Sequence, residues 1–201
     1  MRKILTYYFL FALLYSSAQS FGSRSAAEKK WAVFHPFAAL KVRKIYKEAK
    51  PIYEQLKRKN MPDSFDNGGK LDAFRHIFYM AAFAQKVKAK KVLKLGIAHE
   101  KGNYKNFLNA KKEDGELADS LSSVMDLQNN YLGIETGIKY KEKNQEELSA
   151  ICLTAILAGN AVYFKRDKNG NYLKCNGEVI DLKLYTKKWF IPKCLINTNE
   201  N

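Results

Sequence analysis

A short polar motif at the start of an apolar segment constrains the fold of this chain most. Residues 72–76 read Asp-Ala-Phe-Arg-His, and residues 77–84 are almost wholly apolar. Asp72, Arg75 and His76 are spaced i, i+3 and i+4, so they share one face of the predicted helix. Burying such groups costs several kcal/mol each unless they are paired or bind a ligand. The motif therefore predicts a structural polar network or a functional site inside a helical core.

The rest of the chain favours a mainly α fold. Of its 201 residues 46% are hydrophobic, which is enough to bury a core and argues against disorder. Apolar residues at helical spacing predict a compact helical bundle up to about residue 164. The predicted helices cover 26–49 (bent or restarted at Pro36), a short segment opened by Pro51, 70 to just past 84, a segment ending at Gly102-Asn103, 116–131 and 146–164.

The C-terminal segment predicts a small β-hairpin appendage. Residues 168–171, Lys-Asn-Gly-Asn, are a hairpin turn signal. Residues 162–164 and 172–173 flank this turn, and residues 179–184 and 189–191 are further candidates for short strands. The predicted organisation is a signal peptide at 1–18, N-terminal helices at 19–65, a helical motif domain at 66–164, and a hairpin and tail at 165–201 packed on that domain.

The first 18 residues are typical of a secretory signal peptide. Arg2 and Lys3 precede an apolar run over residues 4–15, and small residues precede a cleavage point before Gln19. The run is shorter than the roughly 20 apolar residues that span a membrane. We therefore expect a secreted or periplasmic protein with no transmembrane span after cleavage.

The charge of the chain favours anionic partners. The formal net charge is +15, and cleavage would lower it to +13 by removing two bases and no acid. We expect an anionic substrate or envelope polymer, such as phospholipid, although a solvated basic face explains the charge equally well. The lysine-rich stretches 86–94 and 139–143 lack the interleaved aromatic residues of a strand-stacking surface, so we expect no specific nucleic acid.

The three cysteines differ in setting. Cys152 lies in an apolar run and is predicted to be a core residue. Cys175 and Cys194 both lie in the C-terminal segment, where they could form a disulfide in an oxidising compartment. Their spacing does not resemble a zinc site.

Two more polar clusters accompany the first. His99 and Glu100 follow a short apolar segment, and Asp126, Asn129 and Asn130 share one face of a later predicted helix. We expect the three clusters to converge. Carboxylates and imidazoles bind zinc, manganese or iron, which makes an unidentified divalent metal such as zinc a candidate cofactor. The predicted ligands are Asp72, His76, His99 and Asp126.

The predicted catalytic residues are His76, Arg75, Glu100, Asn129 and Asn130. Glu100 could serve as general base and Arg75 could stabilise an anionic oxygen, while the two asparagines would orient ligands or substrate. Without a metal, Asp72 or Asp126 would orient His76 as the base.

A structural interpretation stays open for the same residues. Asp72 would then be a helix N-cap, Arg75 would pair with Asp126 or Glu100, and His76 would be a hydrogen-bonded core imidazole. His35 has no acidic neighbour and is predicted to be structural.

The three motifs together resemble a family of bacterial helical domains of unknown function, found in secreted proteins and at the ends of toxin-like chains. The family pattern is DAFRHA(x)WNA, then AHE, then MDLHNNxxG, and the likeness covers about residues 66–164. Gln128 and Met80 depart from it, standing where the family often has His and Asn. The resemblance implies that the family's motif positions are Asp72, Arg75, His76, His99, Glu100, Asp126, Asn129, Asn130 and Gly133.

The resemblance supplies no activity. A looser likeness to the HD phosphohydrolases lies in the order of His76, His99-Glu100 and Asp126, although Glu100 replaces the Asp of that family. We therefore predict a secreted hydrolase of phospholipid or phosphodiester, with or without a divalent metal. The alternatives are a non-enzymatic envelope protein that binds a polymer or partner, and a toxin that travels with an immunity partner.

Overall fold

The structure is a computed structural model that describes residues 24–111, 116 and 118–200. The predicted signal peptide at 1–18 lies outside the described residues. The α-helices are α1 (Ala26–Phe34), α2 (Pro36–Arg58), α3 (Lys70–Lys86), α4 (Ala89–Leu108), α5 (Ser120–Lys139) and α6 (Gln145–Leu157). Two strands, β1 (Val162–Phe164) and β2 (Leu195–Asn197), and a 3-10 turn (Leu182–Tyr185) follow. None of the helices in these described ranges is long and apolar enough to cross a membrane.

Helix α3 is the centre of the bundle. Its residues from Leu71 to Gln85 are buried on almost every side, and α2, α4, α5 and α6 all pack against it. The closest packing is with α5, because Gly133 and Gly137 present no side chain to it. A Cβ at Gly133 would collide with the carbonyl oxygen of Ile77. This close approach brings the polar motif of α3 against the polar face of α5.

The predicted fold class is confirmed, but several helix boundaries were wrong. Helix α5, predicted at 116–131, runs from Ser120 to Lys139. Pro51 lies inside α2 instead of opening a new helix. It is exposed there, so water can hydrate the carbonyl group that its missing N–H leaves unpaired. Gly102 lies inside α4 instead of ending it. A Cβ at Gly102 would lie 2.6 Å from Ser25 Cβ, so this glycine allows the start of α1 to pack against α4.

The end of the last helix and the strand pairing also differ from the prediction. Helix α6 ends at Leu157, and β1 pairs antiparallel with β2. The turn at 168–171 forms, with the N–H of Gly170 donating to the carbonyl of Asp167. Its arms are joined by one bridge between Arg166 and Tyr172. Strand β1 therefore pairs with a segment far along the chain instead of the arm beyond the turn. The Cys175–Cys194 disulfide, which the sequence left open, ties the residue before β2 to the C-terminal segment.

Candidate metal and catalytic site

The three residues of the first motif face the start of α5. Asp72 and His76 of α3 are buried, and Asp126 of α5 is buried opposite them. One ligand atom from each lies within 4.8 Å of the others. His76 Nε2 is 3.2 Å from Asp126 Oδ1 and 3.6 Å from Asp72 Oδ1, yet it makes a hydrogen bond to neither. We call Asp72, His76 and Asp126 the Asp–His–Asp cluster.

Asn130 fixes the orientation of the imidazole. His76 Nδ1 lies 3.0 Å from the side-chain oxygen of Asn130, so the amide and the ring hold one another in place. Burial lowers the pKa of His76 below its usual 6.5, which keeps the ring neutral at neutral pH. The other ring nitrogen, Nε2, faces two carboxylates. The two carboxylates repel one another unless a proton or a cation lies between the three groups.

Asp72 is not the N-cap of α3, as the structural interpretation proposed. The cap position is Gly69, and the carboxylate of Asp63 accepts hydrogen bonds from the N–H groups of Lys70 and Leu71 at 2.7 and 3.0 Å. Asp72 instead accepts from the N–H of Gly68 at 2.7 Å. The sequence did not identify Asp63, because a cap from seven residues before the helix leaves no short-range spacing signal.

Arg75 pairs with Asp72 within its own helix. Its Nη2 lies 2.7 Å from Asp72 Oδ1. The Arg75 side chain is about a quarter exposed, so it lies between the buried carboxylate and solvent. An anionic group of a ligand can reach Arg75 without entering the core.

Glu100 and His99 come from α4. Burial and the charge of Asp126 raise the pKa of Glu100 to about 7, and Asn103 donates a hydrogen bond to its carboxylate at 3.4 Å. His99 points the other way, with Nδ1 3.5 Å from Glu28 Oε1. Burial alone would raise the pKa of Glu28, but hydrogen bonds from His99 and Ser25 outweigh this effect and lower the pKa to about 2.

A small polar cavity of about 30 Å³ adjoins the cluster. It has room for a water molecule or an ion, since one water needs about 10–15 Å³. Its walls are formed by Asn67, Asp72, Arg75, His99, Asn103, Ala118, Ser122 and Asp126. His99 thus shares the cavity with the cluster, although its ring nitrogens lie outside the group of three ligand atoms.

The remaining predicted residues lie elsewhere. The side-chain amide of Asn129 donates a hydrogen bond to the carbonyl of Val162 at 2.9 Å and accepts one from its N–H at 3.1 Å. These two bonds hold β1 against α5. Gln128, one of the departures from the family pattern, is exposed on the outer side of α5. Met80, the other departure, lines a wide groove that reaches His76. The sequence did not predict this groove.

The arrangement could hold a divalent metal ion. Two carboxylates and one imidazole with converging lone pairs are the donor set that zinc, manganese and iron prefer. Asn130 supplies the outer hydrogen bond that ligating histidines require. The cavity beside the cluster leaves an open position for water or substrate.

Residues 29–160 match the family model described as a domain of unknown function, DUF6973. Neither a curated protein nor a solved structure matches the chain. The matched segment includes all three polar clusters and the helices that carry them.

Proposed function

Because the chain belongs to the DUF6973 family, whose function is unknown, we propose from its own geometry that it is a hydrolase of an anionic substrate, a phospholipid or a phosphodiester. The observation that carries this proposal is the Asp–His–Asp cluster. Two carboxylates and an imidazole nitrogen converge within 4.8 Å in the interior beside a solvent-sized cavity. An architectural core gains nothing from two buried carboxylates that face each other.

The chemistry would be divided among the surrounding residues. Asp72, His76 and Asp126 would hold a divalent ion such as zinc. The ion would polarise the scissile group and lower the pKa of a water molecule. Glu100, with a pKa of about 7, is suited to accept a proton at neutral pH. Arg75 would bind an anionic oxygen of the substrate, and His99 would complete the ligand set only by leaving Glu28.

Two features favour an anionic substrate outside the cytosol. The net charge of +15 attracts anions. The Cys175–Cys194 disulfide is typical of an oxidising compartment, as the predicted signal peptide implies. We therefore propose that the protein acts in the periplasm or outside the cell on a component of the envelope.

Metal binding is the first test. Zinc and manganese are titrated into purified, chelator-treated full chain, with calorimetry and thermal unfolding as readouts. An ion at 100 times its Kd raises the free energy of unfolding by about 2.7 kcal/mol. Asp126→Asn removes one ligand and should abolish the shift, while His35→Gln, a control outside the cluster, should retain it. Absence of binding leaves only the metal-free mechanism, with His76 as the base.

Hydrolysis is the second test. Phosphatidylglycerol vesicles and bis(p-nitrophenyl) phosphate, a soluble phosphodiester, are assayed with the parent, His76→Gln and His35→Gln. The proposal predicts turnover that His76→Gln loses and His35→Gln keeps, while all three proteins stay folded. No turnover of either substrate, with or without metal, contradicts a hydrolase.

A non-enzymatic protein is the second candidate, and three contacts within the chain favour it. These contacts join Asn129 to Val162, His76 to Asn130, and Arg75 to Asp72. In that case the cluster would stabilise the bundle while the basic surface binds a polymer or partner. His76→Ala discriminates: severe destabilisation with unchanged binding supports this alternative.

A further inference from the structure

A wide groove opens between α1, α2, α3 and α4. It has a volume of about 1070 Å³, at the upper end of the range for pockets that bind small molecules. One wall is formed by α1 and α2, through Trp31, Leu40 and Tyr46. The other is formed by α3 and α4, through Met80 and Leu95 among others. The groove is therefore lined mostly by apolar and aromatic side chains.

The groove leads to the proposed catalytic site. Arg75, His76 and His99 belong to its lining, and Arg75 and His99 also line the small cavity. A long apolar ligand lying in the groove would place one end beside the cluster. The two openings therefore have Arg75 and His99 as a shared boundary.

The rim of the groove is basic. Six bases and two acids, Glu28 and Glu54, line it. Arg43, Lys47, Lys50 and Arg58 follow one another along the exposed side of α2. An apolar trough with a cationic rim is complementary to a molecule with an apolar tail and an anionic head.

An exposed apolar lip marks the entrance. Val33, Phe34, Phe37 and Leu40, at the junction of α1 and α2, are each 64–81% exposed. Contiguous exposed apolar residues of this size mark sites of interaction. Aromatic and aliphatic side chains flanked by lysines are typical of surfaces that enter the headgroup region of anionic membranes. Lys30, Lys41 and Lys44 flank this lip.

We propose that the groove binds an acyl chain of an anionic phospholipid drawn from a membrane surface, with the headgroup held near Arg75. This inference rests on the proposed function for its catalytic part, and it names the substrate class. The tail fills the apolar wall between α2 and α3, the rim neutralises the headgroup, and the scissile ester or phosphodiester lies towards His76.

Trp31 provides a local probe for the test. The chain has two tryptophans, so Trp189→Phe in the full chain leaves Trp31 as the sole emitter. Vesicles of phosphatidylglycerol with brominated acyl chains should quench Trp31, because bromine quenches tryptophan at contact distance. Pure phosphatidylcholine with the same brominated chains should quench much less, since it lacks net negative charge.

Two leucines of similar exposure form a matched pair of variants. Leu40, in the groove, is 64% exposed and Leu184, in the C-terminal segment, is 66% exposed. Placed in the Trp189→Phe background, Leu40→Asp should weaken quenching at least about tenfold, because it puts a carboxylate against the lipid tail. Leu184→Asp should change quenching little. Equal loss in both variants, or equal quenching by the two lipids, overturns the proposal.

The N-terminal apolar run at residues 4–15 is the competing occupant. Leu10→Asp in the full chain tests it. If lipid quenches Trp31 fluorescence only after this substitution, the natural occupant of the groove is the apolar run at residues 4–15 and the proposal is wrong. The outcome is also independent of catalysis. Quenching without hydrolysis contradicts the proposed function alone, and hydrolysis of the soluble phosphodiester without quenching contradicts the lipid site alone.

Discussion

Two buried clusters of charge use aspartates two turns apart at the start of α5, and the two differ in their surroundings. At the start of α5, Asp119 is fully buried and pairs with Lys193 at 2.7 Å. Its carboxylate also accepts from the N–H groups of Leu121 and Ser122 and from the Ser122 hydroxyl. Further along α5, Asp126 faces the imidazole of His76.

The surroundings of the two aspartates differ as well. Lys193 Nζ lies 4.1 Å from the ring centre of Tyr172 and 4.9 Å from that of Phe164, so its charge is paired and also packed between aromatic faces. The Asp–His–Asp cluster adjoins a cavity, and His76 Nε2 and Glu100 Oε1 make no hydrogen bond. Burial alone therefore does not separate the two clusters in this bundle, whereas the completeness of their hydrogen bonding does.

Asp119→Ala should have the largest effect of the variants considered. It leaves Lys193 as an uncompensated buried charge, and breaking a buried pair costs about 3–5 kcal/mol. Denaturant unfolding measures this loss. The control is Asp181→Ala, which removes an exposed cap at the 3-10 turn and should cost about 1 kcal/mol or less. Similar losses in both variants would show that the buried pair does not stabilise the fold.

The pH dependence of stability tests the incomplete cluster. The pKa of Glu100 is about 7 in the folded chain, above its ordinary 4.5, so the folded state holds the proton more tightly than the unfolded state. Its stabilising contribution is complete below about pH 4.5 and is lost as the pH rises through 7. The loss amounts to about 3 kcal/mol.

Glu100→Gln isolates this contribution. His76, whose pKa is lowered by burial, acts in the opposite direction, so the informative quantity is the difference between variant and parent. In metal-free buffer, we expect the free energy of unfolding of the variant to rise relative to that of the parent from about pH 5 to 7 and to level off above pH 7. Glu142→Gln, at an exposed position, should follow the parent. A constant difference for Glu100→Gln would mean that Glu100 titrates normally.

The sequence predicted local features better than distant ones. The helices of the bundle follow from apolar spacing, and the approach of Asp72 and His76 to Asp126 follows from two polar faces on buried helices. The Asp119–Lys193 pair was missed because Lys193 lies among C-terminal residues with no regular pattern. The groove was missed because it forms only when α2 packs beside α3, and no residue of α2 carries a signal for it.

Gly133→Ala should disturb the site through packing. The new methyl group would meet the backbone of Ile77, and overpacking of this kind costs about 1–3 kcal/mol. Because α3 and α5 would move apart, His76 and Asp126 should also bind metal more weakly. Calorimetry with zinc measures this. Gln128→Ala, on the exposed side of α5, should leave both stability and binding unchanged; weaker zinc binding in that control would place Gln128 within reach of the site.

Asp126→Asn should have the smallest effect on stability and the opposite sign to Asp119→Ala. Removing one of two facing carboxylates relieves repulsion in metal-free protein, so the free energy of unfolding at pH 8 should rise by about 1 kcal/mol or less. Denaturant unfolding of both variants in chelator compares the two clusters directly. If Asp126→Asn instead destabilises the chain as much as Asp119→Ala does, the charge of Asp126 is compensated in the fold. The cluster would then be a second architectural ion network, and the case for a metal between Asp72, His76 and Asp126 would fail.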